Sequence, residues 1–110
     1  MLRVMLTVEI KSGEEQEFER EFQDVARRLQ GSPGLLGQVL CHDPGSPSRY
    51  LIMSDWASRD EFRRFEVSPE QDEATAPVRK YRTSVQMHMY DVVYSDSGAP
   101  LSAGAGEERG

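Results

Sequence analysis

The sequence predicts an α+β domain in which a four-stranded antiparallel sheet carries its helices on one face. Residues 3–10 alternate cleanly, with Val4, Leu6, Val8 and Ile10 on one parity and Arg3, Met5, Thr7 and Glu9 on the other, as in a strand with one buried face. Phe18, Phe22, Val25, Ala26 and Leu29 then recur at helical spacing. Read to its end, the chain runs strand, helix, strand, strand, helix, strand. Two split strand-helix-strand units of this kind define a ferredoxin-like architecture.

Each element has its own local signals. Ser12 and Glu15 stand at capping-box spacing ahead of a helix expected over 13–29. Its acidic first turns (Glu14, Glu15, Glu17) and basic last turn (Arg27, Arg28) complement the helix dipole, each exposed charge contributing about 0.3–1 kcal/mol. Gly31-Ser32-Pro33-Gly34 stops it. Residues 35–42 read as the second strand and 50–56 as the third. The turn-forming run Asp43-Pro44-Gly45-Ser46-Pro47-Ser48 between them favours an antiparallel hairpin. Ser58 and Glu61 repeat the capping-box spacing and open a helix with Phe62 and Phe65 on one side. Ser68-Pro69-Glu70-Gln71 repeats it with Pro at the favoured first position, giving a helical piece expected to reach about Thr75 before Pro77 disturbs it. Residues 82–93 return to strand character. The domain is expected over 1–94, and 95–110, rich in Gly, Ala and Ser without periodicity, reads as a disordered tail.

Composition narrows the function. With 110 residues, 37% of them hydrophobic, the chain builds a single domain. A net charge of -6 repels phosphate backbones and anionic membrane surfaces, so neither nucleic acid nor membrane is an expected partner. No apolar run approaches the roughly 20 residues of a membrane span, and the first residues read as strand rather than signal peptide, which points to the cytoplasm. Cys41 is the one cysteine, which leaves no internal disulfide and fits a reducing compartment. No nucleotide loop, dinucleotide turn or paired metal ligands appear, so no metal is expected.

Several residues carry possible chemistry. Tyr50, Ile52, Ser54 and Trp56 share one parity of the third strand; on the helix side, Trp56 with Phe62 and Phe65 would wall a cavity suited to a flat apolar ligand. The Trp56 indole N–H needs an acceptor if buried. Arg82, where the last strand begins, would pair either an anionic substrate or intermediate, or a surface glutamate. On the last strand Gln86, His88 and Tyr90 present an amide, an imidazole and a phenol together, and a neutral imidazole accepts a proton near pH 7. Parity alone does not reveal which face they occupy. The other parity of the sheet offers Met5, Met53, Val85, Met87 and Met89, an apolar face that helices on the opposite side leave open. A homodimer is expected to cover it. His42 reads as a solvated loop histidine, and Cys41 has no activating base beside it.

Pro33-Gly34-Leu35-Leu36-Gly37-Gln38, Ser54-Asp55-Trp56, and Glu61-Phe62-Arg63-Arg64-Phe65-Glu66 followed by Ser68-Pro69 resemble the antibiotic biosynthesis monooxygenase family over about residues 2–93. The chain looks most like the small tailoring oxygenases of aromatic polyketide pathways, of the quinone-forming tetracenomycin and benastatin kind. The resemblance implies a dimeric α+β barrel with a pocket between helices and sheet in each subunit. It also implies oxidation of a polycyclic anthrone or phenol to a quinone by dioxygen, with no cofactor. Trp56 and Arg82 match the family's pattern. Ile52 and Phe62 stand where an anthrone-oxidising branch carries Asn and Tyr, and Leu6 and Glu66 stand where haem-degrading members carry Asn and His. Gln71 and Ala74 replace histidines of the tetracenomycin kind, which keeps an aromatic polyketide cyclase or a non-catalytic accessory protein as alternatives. Under this reading His88 is the first candidate for base and Tyr90 a weaker one. Trp56, Arg82 and Ser54 position the substrate and stabilise charge, and Ile52, Phe62, Phe65 and Gln86 line the site.

Overall fold

A computed structural model describes residues 1–96. The elements are β1 (Leu2–Ile10), α1 (Glu15–Leu29), β2 (Leu35–His42), β3 (Arg49–Trp56), α2 (Arg59–Glu66), α3 (Pro69–Arg79) and β4 (Arg82–Asp91). The strands form one antiparallel sheet in the order β2-β3-β1-β4. This is the ferredoxin-like α+β fold that the element order predicts. Most of the expected tail lies outside the described residues.

Local chemistry sets the helix ends. Ser58 and Ser68 cap α2 and α3 as their spacing predicts, accepting the backbone N–H groups of Glu61 and Gln71. At α1 the expected capping box does not form. The cap position is Glu14, and Glu15 instead uses both carboxylate oxygens outside the helix, accepting the Gly13 N–H at 3.0 Å and the Ser48 hydroxyl at 2.8 Å. These bonds hold the Glu15 carboxyl below its ordinary range, the Ser48 contact first among them. α3 does not stop at Thr75 but runs through Pro77 to Arg79. Proline this close to a C-terminus forfeits a single backbone hydrogen bond, and burial of Val78 and Tyr81 anchors the turn that contains it.

Two apolar clusters join helices to sheet. The larger packs Val8, Ile10 and Tyr50 against Phe18, Phe22 and Val25 of α1 and Val78 of α3; the smaller groups Leu2, Val4 and Trp56 with Phe62 of α2. The buried tyrosines tie α1 to the sheet by donating their hydroxyls to carboxylates on its flank, Tyr50 to Glu19 and Tyr81 to Glu21. Burial, then the adjoining carboxylate, raises the pKa of both phenols.

The register of β4 overturns the face assigned to its side chains. Ile10 pairs with Arg82 and Glu9 with Ser84, so Thr83 is an extra residue, a bulge that shifts the alternation by one. Beyond it Val85, Met87 and Met89 pair with Val8, Leu6 and Val4 and lie on the helix side. Gln86, His88 and Tyr90 pair with Thr7, Met5 and Arg3 on the opposite face. That open face carries Met5, Leu51, Met53 and Val39 at its centre. Its margins hold two ion pairs between neighbouring strands, Arg3 with Asp55 at 2.8 Å and Arg49 with Glu9 at 2.7 Å.

Candidate active site

Between the two clusters, under α1, α2 and α3, lies a cavity of about 250 Å³. It lies just below the roughly 300–1,000 Å³ usual for small-molecule sites. Its wall is mostly apolar: Val4 and Leu6 of β1, Ile52 of β3, and aromatic rings from α1 and α2.

One end is aromatic. Trp56, 2% exposed, has its ring centroid 4.8 Å from that of Phe65 and 5.4 Å from that of Phe62. The burial of this indole raises the question of its N–H, and Ser54 answers it: Trp56 Nε1 donates to Ser54 Oγ over 2.9 Å. Residues two apart on a strand share a face, so the acceptor sits beside the indole on the cavity side. A hydroxyl that accepts still has a proton to donate. Opposite Ser54 on β2 stands Gln38, whose Nε2 donates to the Ala26 carbonyl at 3.2 Å and whose Oε1 keeps its acceptor capacity. Ser54 and Gln38 together make a polar notch, one donor beside one acceptor, in an otherwise oily wall. Glu66, the last residue of α2, also lines the cavity and follows Phe65 directly.

The other end is cationic. Arg82 and Arg79 both line it. Arg79 is held by the Asp72 carboxylate at 3.1 Å, the Asp72 carbonyl and the Thr75 hydroxyl. Burial, and then the Arg79 charge, lowers the pKa of Arg82. The two ends are well separated. Ser54 lies opposite Val4 and Arg82 opposite Ile10, six positions along β1 or roughly 20 Å of strand.

The structure thus brings Ile52, Ser54, Trp56, Phe62 and Phe65 together and sets Arg82 at the far end of the same cavity. It does not bring His88, Gln86 or Tyr90 to it. The Thr83 bulge turns them to the other face, and Met87, expected on the open face, takes their place in the wall. Glu66 and Gln38 are among the polar lining residues that the sequence reading left out of the site, with Gln71, Thr75 and Arg79. For Gln38 a signal was present, since pairing the second and third strands in register sets it across from Ser54. Of the described residues, no helix is long and apolar enough to cross a membrane.

A model of the family described as antibiotic biosynthesis monooxygenase matches residues 1–77. Protein SchA of Streptomyces halstedii is 28% identical over 104 residues, covering 94% of this chain and 27% of that protein. A 42.8 kDa protein in the whiE locus of Streptomyces coelicolor is 26% identical over 100 residues, covering 90% and 25%. The chain spans about a quarter of the length of these two relatives. Among solved structures, SnoaB, a cofactor-independent oxygenase from Streptomyces nogalater, superposes with a TM-score of 0.75 at 18% identity over 86% of this chain and 94% of its own. The heme-degrader MhuD from Mycobacterium tuberculosis, with two hemes bound in its active site, gives 0.76 at 23% identity over 88% and 100%. At these identities the likeness is one of fold.

Proposed function

Because the chain belongs to the antibiotic biosynthesis monooxygenase family, we propose that it oxidises a polycyclic aromatic polyketide, an anthrone or phenol, to a quinone with dioxygen. The observation that carries this reading is the polar notch of Ser54 and Gln38 set into an apolar, aromatic-walled cavity. A flat polycycle fits against Trp56, Phe62 and Phe65, and the notch matches an edge bearing a carbonyl beside a phenol.

The chemistry needs little from the protein. An anthrone methylene loses one proton to give an enolate, which passes an electron to dioxygen. The radical pair recombines in a carbon–oxygen bond, and the hydroperoxide loses water to leave the second carbonyl. One dioxygen is consumed per quinone, one oxygen atom entering product and one leaving as water. The substrate is thus its own reductant, and no cofactor is called for. Ser54 donates to the enolate oxygen, where negative charge develops, and Gln38 Oε1 receives a phenolic hydroxyl. The apolar wall keeps water from the carbanion. In this scheme Glu66, a carboxylate in the wall, replaces His88 as the base. Gln38 takes the part of the amide that the anthrone-oxidising branch carries where this chain has Ile52. A second copy packs on the open face around Met5 and Met53, giving the dimeric barrel that the family resemblance implies.

The test is oxygen uptake. Chelator-treated protein supplied with an anthrone such as dithranol is expected to consume one dioxygen per quinone formed. Product without oxygen uptake indicates the cyclase, and no turnover across a panel of aromatic polyketides indicates the accessory role.

A further inference from the structure

The guanidinium of Arg82 has no ion pair or hydrogen bond among the described residues, although Arg82 is partly buried and lines the cavity. The charge that acts on it is that of Arg79, which is already occupied by Asp72. A guanidinium partly removed from water, beside a second cation and without a carboxylate, is costly unless an anion meets it there. It remains protonated at any relevant pH. Evidently the anion is not part of this fold.

The enolate oxygen is not that anion. It belongs at the Ser54 notch, and roughly 20 Å of β1 separates the strand positions of Ser54 and Arg82. Even with the guanidinium extended toward it, one oxygen does not satisfy both. The one carboxylate among the described lining residues, Glu66, ends α2 on the aromatic side and does not engage Arg82. The cavity therefore has two polar ends of different character, a neutral donor and acceptor at one and, at the other, a cation without a carboxylate beside a second that already has one.

We infer that the substrate is an acidic polycycle, an aromatic polyketide that keeps a carboxylate at the end remote from its reacting ring, with Arg82 binding that carboxylate and so setting which way the molecule lies. This rests on the reading of the cavity as a polyketide site and narrows it to one chemical class. A carboxylate presents two oxygens to the fork of guanidinium donors, a geometry lysine cannot reproduce. Fixing the acid end at Arg82 fixes which ring reaches Ser54 and Trp56. Arg82 is on this account a specificity-determining residue, and it touches substrate without touching the reacting carbon.

The single tryptophan of the chain stands in the wall, so quenching of its fluorescence reads occupancy directly. The probes are anthraquinone-2-carboxylate and its neutral analogue 2-(hydroxymethyl)anthraquinone, with isothermal titration as an independent measure. The wild-type protein is expected to bind the carboxylate roughly tenfold to hundredfold more tightly than the alcohol, as a charge-assisted pair does. Arg82→Met is expected to abolish that preference while leaving affinity for the alcohol within about twofold. Arg82→Lys, which keeps the charge without the fork, is expected to retain part of it and guards against a folding defect in the methionine variant. Equal affinity for both probes in the wild type overturns the acidic-substrate inference and leaves the oxygenase reading standing. A preference that survives Arg82→Met overturns Arg82 as its source. Binding of neither probe defeats both readings together.

Discussion

Trp56 gives its indole proton to Ser54, its neighbour but one on β3, across 2.9 Å. This bond serves folding and, in the proposed reaction, chemistry as well. It satisfies a buried donor, and it orients a hydroxyl whose remaining proton is free to point into the cavity.

Replacing Ser54 with Ala tests both roles. The variant leaves the indole N–H without its acceptor, a loss of about 1–3 kcal/mol in denaturant unfolding. Turnover per folded molecule is expected to fall by roughly 10²–10³, the effect of removing one donor from a developing oxyanion. Loss of stability with unchanged turnover would restrict Ser54 to a structural part.

Glu66→Gln removes the proposed base without removing its shape. The rate constant kcat is expected to drop by roughly 10²–10⁴ with KM little altered. A variant that turns over normally would return the search for a base to the substrate or to solvent.

The two faces of β4 predict opposite behaviour for neighbours. Met87→Trp fills the cavity from its wall and is expected to lower kcat/KM by roughly tenfold or more. His88→Ala, one residue along but on the other face, is expected to keep turnover within about twofold. Steady-state kinetics on the pair would reverse the assignment of faces if His88 proved the sensitive position.

Stability should fall off at both extremes of pH. Glu15, its pKa depressed chiefly by the Ser48 hydroxyl, contributes stability that is present above about pH 4.5 and lost as pH falls through its lower folded value. Tyr50 and Tyr81, their pKa values raised first by burial and then by Glu19 and Glu21, contribute stability that is whole below about pH 10 and lost as pH rises beyond it. Urea midpoints measured from pH 3 to 11 would trace these limbs. Tyr50→Phe is expected to flatten the alkaline one and to cost about 1 kcal/mol near neutrality.

The open face predicts assembly. Met53→Arg places a charge at its apolar centre, next to Met5 and Val39, and is expected to shift light-scattering mass from the dimer toward the 12.5 kDa monomer. An unchanged mass would place the partner elsewhere.

Much of this molecule is legible in its residues. The alternation of Val4, Leu6, Val8 and Ile10 announces β1 and its buried side, and Ser58 and Ser68 announce two helix starts, because these are local effects of burial and of unpaired backbone donors. The aromatic end of the cavity follows from the same parity carried along β3 to Trp56. What the residues do not show is which face each parity of β4 takes. Met87 and Met89 are expected on the open face with Met5, whereas Thr83 interrupts the pleat and sets them on the helix side. Alternation is a local signal, but a bulge is settled by the partner strand, here by Glu9 and Ile10 meeting Ser84 and Arg82. Nothing in Thr83 itself marks it. Pro77 misled in the other direction, since a helix breaker matters little where only one backbone bond remains to be lost.

The extra residue at Thr83 works like a frameshift in the strand. Everything after it is read in the alternative frame, so Arg82 and Met87, five positions apart, line the same cavity, and His88 is handed to the opposite side. A deletion at this point would exchange the contents of two surfaces at once. Met87 would move from the cavity to the open face, and an imidazole and a phenol would move to the helix side. Substitutions along β4 alter one surface at a time, whereas a change of length between Arg82 and Ser84 rewrites both, so that strand length at the bulge should tolerate far less variation than strand composition.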